Sequence, residues 1–431
     1  MRTLIHVLRA AAVAAIALAA VFFTSPAYAI DKVVLKDGTV VEGTIVREVD
    51  GFVWIKTNVA GIEQEKLFTP QEITRVTRDA GAEPVSSEPV VAADARTPKP
   101  VSGGPKAAVI TLGSREPGHG DTIGIDIQAY ELREMLPLLE EELGTDGTGV
   151  VVFRVTSGGG LLLEIQRLSD VIHNEYKKRF RVVAWIDSAI SAAAMTSHCM
   201  EEIYFTPQGN YGACTGWSGA LQAVKGRGLE EVLYMMEKIS ARGGYNPLIM
   251  RAMQIQVPLS ATIDAHGEVK WYDDATSGEI LVNRDNEILT FNAETARQVK
   301  FSRGTANTIE ELQALMGYKE LQWVGKREKG YTWPISKAEA WNLNWRKKVH
   351  EDEEKTQLYF VTYQRQVAAA ASEPLETRGK FVNMARATLN KLREAVKRNP
   401  NMALLTFGVF TEEEVKEFFD REEKRLRDLM R

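Results

Sequence analysis

The apolar positions change spacing several times along the chain, and each change marks a different kind of element. Within residues 30–78 the apolar stretches are short and interrupted. Val33-Val34-Leu35 and Val40-Val41 flank Asp37-Gly38, a dipeptide suited to the positive φ angles of a tight hairpin. Residues 52–57 alternate apolar with polar as a half-buried strand does, and residues 73–76 close the series. Together they predict a small SH3-like or Sm-like β-barrel. So short a unit, about 50 residues, builds only a modest core, which points to docking or binding rather than to chemistry. Residues 79–106, rich in Ala, Pro, Ser, Gly and Val without sustained periodicity, read as a flexible linker.

From Ala107 onward, strand patterns alternate with helical ones. Residues 107–112 predict a strand. Residues 125–143 predict an amphipathic helix with Leu132, Met135, Leu136 and Leu139 on its apolar face and a kink at Pro137. A buried strand over 150–155, a helix over 161–175 and another strand over 181–186 follow. This βαβ rhythm implies a parallel sheet with helices on its faces, and such sheets bind ligands beyond the carboxyl ends of their strands.

Past residue 335 the pattern becomes helical. Ser336-Lys-Ala-Glu339 and Thr411-Glu-Glu-Glu414 are capping-box signatures. Phe381, Met384, Leu389, Leu392 and Val396 recur at helical spacing. These long charged helices read as an oligomerisation or packing arm, or else as a solvated appendage.

The N-terminal residues have the layout of an export signal. Arg2, His6 and Arg9 supply positive charge, residues 10–23 are apolar but short for a membrane span, and Ala27-Tyr28-Ala29 is a small-x-small cleavage site. An uncleaved anchor, holding the protein near a membrane, is the alternative. The organisation is therefore a signal segment (1–29), a small β-barrel (30–78), a linker (79–106), an α/β domain (107–325) and a helical extension (326–431).

Composition narrows the classes. The chain has 431 residues, 44% of them hydrophobic, and a net charge of −5 with both signs well mixed, which speaks against a nucleic-acid partner. Its two cysteines, Cys199 and Cys214, form no disulfide framework. They read as buried thiols, although a single bridge is open to them in an oxidising compartment.

The chemistry concentrates in residues 182–212. A strand ends near Asp187-Ser188, and Ser191-Ala192-Ala193-Ala194 then opens an apolar helix. A serine at such a junction can turn its hydroxyl to a cleft beside unpaired helix N–H groups. Upstream, the strand over 150–155 runs into Ser157-Gly158-Gly159-Gly160, a second source of free N–H groups. A serine with two sets of amide donors is what acyl transfer needs.

These residues resemble the ClpP/crotonase superfamily, and within it the signal peptide peptidase A and NfeD-like serine peptidases. Thr156-Ser157-Gly158-Gly159 stands for the family's glycine loop and Ala189-Ile190-Ser191-Ala192 for its nucleophile segment. Pro207 follows Ser191 at the family's interval of sixteen residues, which favours Ser191 over Ser188. The segments 287–296 and 307–312 resemble the domain's closing elements. The resemblance implies a ClpP/crotonase-like core of repeated ββα/βαβ units over about residues 107–325, peptide or protein substrates, a homo-oligomer and a Ser-Lys dyad.

A lone serine hydroxyl is a poor nucleophile and requires a base. His198 lies two helical turns beyond Ser191, about 10 Å at 1.5 Å per residue, and reads as a satisfied helix histidine. His119 lies in a Pro-Gly-His-Gly loop that turn chemistry explains equally well. The resemblance implies a lysine instead, placing Lys225 near the family's base and Lys238 second; such a lysine acts only if burial keeps a neutral amine populated. It also implies Gly158 or Gly159, with Ala192, as oxyanion donors. No His/Cys set with metal-ligand spacing and no phosphate loop is legible, so no cofactor or metal is expected.

Three functions compete. The first is an exported, periplasmic serine peptidase. The second, motivated by Asp187, Ser157 and Ile190 at positions where the family carries other residues, is a non-catalytic scaffold that binds extended peptides or partner proteins. The third, a crotonase-type enzyme acting on acyl-CoA, conflicts with the export signal.

Overall fold

The structure is a computed structural model that describes residues 31–49, 51–59, 62–78, 104–114, 121–218, 222–223, 225–409 and 411–431. The expected export segment, most of the expected linker and His119 lie outside the described residues. The fold is mixed α/β, and the chain divides into two compact units, residues 1–89 and 90–431.

In the first unit, strands β1 (Asp31–Leu35), β2 (Val40–Val49), β3 (Phe52–Val59), β4 (Ile62–Phe68) and β5 (Ile73–Thr77) form an antiparallel sheet in the order β4-β3-β2-β1-β5. Between β1 and β2, Gly38 takes φ 87° and the Asp37 carboxylate accepts the Thr39 N–H at 2.8 Å. Val33, Val53 and Ile55 make the small core. Trp54 is buried too, beneath the Arg47 guanidinium 4.8 Å from its ring centroid. That cover explains why residues 52–57 are not cleanly two-sided. Strand β4 was not legible because its Glu-Gln-Glu-Lys run carries no apolar alternation. Among the described residues, no pairing of β4 with β5 closes the sheet into the expected barrel.

The second unit opens with β6 (Lys106–Leu112), α1 (Ala129–Leu143), β7 (Val150–Ser157), α2 (Leu162–Val171), β8 (Arg181–Ile190), α3 (Ala192–Ser197), β9 (Ile203–Phe205) and β10 (Asn210–Gly212). Strands β6, β7 and β8 run parallel, as the βαβ rhythm requires. Both β9 and β10 pair with β8, the first along its middle and the second at its end. This second pairing carries β8 on to Ile190, four residues past the expected strand end. Helix α1 starts at Ala129, later than read, because residues 121–127 turn back on themselves through hydrogen bonds to Thr122 O. Helix α2 passes through a π turn (Ile172–Tyr176) before Phe180.

After β11 (Trp217–Ser218) and β12 (Gln222–Ala223) come α4 (Arg227–Gly243), α5 (Pro247–Gln254) and a three-stranded sheet of β13 (Leu259–Ile263), β14 (Val269–Tyr272) and β15 (Ile280–Asn283). Strand β16 (Thr290–Asn292), α6 (Ala293–Gln298), β17 (Gly304–Thr305), α7 (Ile309–Leu315) and β18 (Gln322–Trp323) complete the main sheet, ordered β16-β10-β8-β7-β6-β18, with β9 and β17 paired alongside β8. The strands read as continuous apolar runs because both faces are covered. On one face Ile110, Val151, Phe153 and Ile186 meet α1, α2 and α3; on the other, Val109, Val152, Val183 and Trp185 meet α7.

Four helices end the chain: α8 (Lys337–Ser372), α9 (Leu375–Arg398), α10 (Met402–Phe407) and α11 (Glu412–Asp428). They share a core of Val349, Tyr363, Leu389, Leu392 and Phe418, and α8 also packs on α1 and β6. Thr411 and Glu414 form the complete capping box. At α8 only half of one forms, since Ser336 caps the Glu339 N–H while the Glu339 carboxylate accepts from Thr111 of β6 instead. Among the described residues no helix is long and apolar enough to cross a membrane.

Candidate active site

Ser191 stands between β8 and α3 at φ 55° and ψ −125°. A non-glycine residue held at positive φ costs of order 1–3 kcal/mol and persists only where its surroundings enforce it. Here its N–H donates to Gly212 O at 2.9 Å and its C=O accepts the Met195 N–H at 3.0 Å. Ser191 is half-buried, and no described group hydrogen-bonds its hydroxyl. Ser188, three residues earlier, donates its hydroxyl to Asn210 Oδ1 at 2.9 Å.

The glycine loop lies directly against this serine. Gly159 has φ 109°, and a Cβ built on it would fall 2.6 Å from Ser191 Cβ and 3.1 Å from Ala192 N. Its C=O accepts from Ile123 N at 2.9 Å, and Ile123 O accepts from Leu161 N at 2.8 Å, so residues 121–127 brace the loop. Ser157 completes the brace: its buried hydroxyl donates to Asp121 O at 2.7 Å and accepts the Gly159 N–H at 3.2 Å. Gly158 is exposed, with open space around its Cα and no described acceptor for its N–H. The Ala192 N–H is the first of α3 and has no intrahelical acceptor. Gly158 and Ala192 therefore offer free amides, whereas the Gly159 amide is turned onto Ser157.

Lys225 is exposed just before α4. Lys238, on α4, rests its ammonium 4.1 Å above the Tyr234 ring. No described amine hydrogen-bonds Ser191.

His198 is fully buried among Tyr211, Tyr245 and Phe301. Tyr211 donates its hydroxyl to Ala194 O at 2.6 Å, so its oxygen accepts from His198 Nδ1 at 3.0 Å, while His198 Nε2 has no hydrogen-bond partner among the described residues. Burial holds the imidazole neutral by pushing its pKa down to about 3. Both cysteines are free and buried, and burial raises both thiols, Cys199 to about 11.

Asp187 pairs with an arginine of the neighbouring strand. Ile186 lies opposite Val155 and Ser188 opposite Thr156, which leaves Asp187 as the extra residue of a bulge in β8. Its carboxylate pairs with Arg154 at 3.2 Å and accepts from the Thr156 and Thr206 hydroxyls, each at 3.3 Å. Arg154 in turn lies 4.1 Å over the Trp185 ring. The pair lines a cavity of about 800 Å³ at the carboxyl ends of β6 and β7, shared with Asp121, Trp333, Arg346 and His350. Asp121 and His350 of its lining come together with Asp126, a set of metal-ligand types that the sequence reading missed because His350 is more than 220 positions from either acid.

No family model and no curated protein matches the chain. Among solved structures, it is similar to a serine-to-alanine mutant of the 1510-N membrane-bound stomatin-specific protease, with 12% identity and a TM-score of 0.35 over 52% of this chain and 99% of that one. It is likewise similar to a lysine-to-alanine mutant of that protease in complex with a substrate peptide, with 11% identity, a TM-score of 0.37, and coverage of 52% and 94%.

Proposed function

We propose that this chain is an exported serine peptidase of the ClpP-like kind, with Ser191 as nucleophile and Lys225 as base. The observation that carries the reading is the positive φ of Ser191 at a strand-to-helix turn, its hydroxyl unengaged and the Gly158–Gly160 loop against it. Other hydrolases use the same device, in which a strained turn presents the nucleophile to a cleft. The sequence resemblance to signal peptide peptidase A and NfeD-like enzymes supports the peptide substrate and the lysine. Ser191 Oγ attacks the scissile carbonyl, a neutral Lys225 amine takes the proton, and the Gly158 and Ala192 amides hold the oxyanion. The protonated lysine then releases the leaving amine, and water hydrolyses the acyl-enzyme. Lys225 has to reach Ser191 once substrate is bound. Location outside the cytoplasm rests on residues 1–29, and homo-oligomerisation on the resemblance.

Labelling with a serine-directed fluorophosphonate tests this. Wild type and Lys238→Ala are expected to label, Ser191→Ala not at all, and Lys225→Ala at least 100-fold more slowly. Equal labelling of wild type and Ser191→Ala overturns the reading. A second reading, a scaffold that binds extended peptides without cleaving them, is favoured by the engaged Gly159 N–H and by the absence, among the described residues, of an amine hydrogen-bonded to Ser191. Peptide binding that Ser191→Ala leaves unchanged, without turnover in either protein, would establish it.

A further inference from the structure

We propose that Asp121, Asp126 and His350 bind one divalent transition-metal ion beside the 800 Å³ cavity that Asp121 and His350 line. His350 Nε2 lies 2.9 Å from Asp121 Oδ1 and 3.1 Å from Asp126 Oδ1. One N–H can be directed at one acceptor, and it is directed at Asp121. Among the described residues, Asp126 Oδ1 and Asp121 Oδ2 are left without any hydrogen-bond donor, although both residues are only 2% exposed. Buried carboxylate oxygens in that condition are costly, and native structures supply a proton, a donor or a cation.

The neighbouring cation is ion-paired with Asp121 Oδ2 but gives it no hydrogen bond, and it does not reach Asp126 Oδ1 among the contacts of the described residues. Arg346 Nε stands 3.7 Å from Asp121 Oδ2, and the guanidinium donates to Thr111 O at 3.0 Å and to Thr111 Oγ1 at 2.6 Å. Other hydrogen bonds hold the acids in place, as ligands are held in metal sites. Asp126 Oδ2 accepts the Thr122 N–H at 2.8 Å, which aims Oδ1 at the imidazole. Asp121 is anchored by its C=O, which accepts the Ser157 hydroxyl at 2.7 Å.

The three ligand atoms lie within 4.8 Å of one another. Donors about 2.0–2.2 Å from a tetrahedral ion are about 3.3–3.5 Å apart, so a small outward relaxation admits one. A proton on Nε2 satisfies one oxygen; a divalent ion engages all three donors together. One imidazole with two carboxylates suits zinc, manganese or iron better than magnesium or calcium, which prefer all-oxygen shells. The open cavity leaves further coordination positions to water or an incoming ligand. Ser191 is not among the residues that line the cavity.

Calorimetric titration of chelator-treated full-length protein with Zn²⁺, Mn²⁺ and Mg²⁺ tests the assignment. One equivalent of Zn²⁺ or Mn²⁺ is expected, at least 10-fold tighter than Mg²⁺. Asp126→Asn and His350→Ala should each weaken it at least 100-fold, while Ser191→Ala leaves it unchanged. In case the variants misfold, Mn²⁺ broadening of the imidazole NMR signals of wild type provides a second readout, with His350 broadened at the lowest Mn²⁺ additions. Absence of stoichiometric binding, binding that survives both substitutions, or unbroadened His350 signals overturns the proposal.

Discussion

A Cβ on Gly159 would stand 2.6 Å from the Cβ of Ser191, closer than side-chain carbons approach in folded proteins. The glycine lets the loop and the nucleophile turn occupy adjoining space, and its φ of 109° is strained for any other residue. Gly159→Ala is therefore expected to displace Ser191 from its positive-φ turn. Fluorophosphonate labelling should fall at least 100-fold, with a loss of about 2–4 kcal/mol in denaturant unfolding. A variant that labels at the wild-type rate would show that the contact is irrelevant to the site.

Asp187 forms an ion pair with Arg154. The Arg154 side chain is only 16% exposed, so removing the Asp187 charge takes a counter-ion from a largely buried cation. Asp187→Asn should destabilise the protein by roughly 3 kcal/mol. Thermal melts at neutral pH would show it, and an unchanged melting temperature would mean that the pair contributes little.

The buried imidazole of His198 makes stability fall with acid. Its folded pKa, about 3, lies below the ordinary histidine value of about 6.5, so in between the unfolded chain binds more protons. Its contribution is constant above about pH 6.5 and is lost as pH falls toward 3, amounting to roughly 2 kcal/mol by pH 5. Urea unfolding of wild type and His198→Gln at pH 7 and pH 5 should show a steeper decline for wild type. Parallel declines would contradict the assignment.

Glu202 works in a lower window. Burial pushes its carboxyl up, but the Arg181 guanidinium, bound through two contacts of 2.7 Å, outweighs this and holds it below the ordinary carboxylate range. A depressed carboxylate stabilises above its unfolded pKa of about 4.3 and loses that contribution as pH drops through the folded value. Glu202→Gln should cost about 2 kcal/mol at pH 7, and the gap to wild type should close below about pH 4. A gap independent of pH would mean that lost packing, not charge, sets the cost.

Local pattern made much of this protein legible. The Asp37-Gly38 hairpin, the parallel run of β6, β7 and β8, the Thr411 capping box and the placing of a glycine loop and a serine at strand ends all depend on residues close together in sequence. Backbone geometry and side-chain period act over a few positions, so a sequence displays them directly. Strand β4 escaped because its polar run offers no period, and the end of β8 escaped because β10, more than twenty residues on, supplies its last pairing. Tertiary structure alone decided the rest. It set the φ of Ser191, which Gly212 and the glycine loop impose from outside the turn, and it joined Asp187 to Arg154. It also drew His350 onto Asp121 and Asp126 by laying α8 across the sheet. Contacts of that kind depend on how buried surfaces meet, which is settled by the packing of the whole unit rather than by any neighbouring stretch of chain.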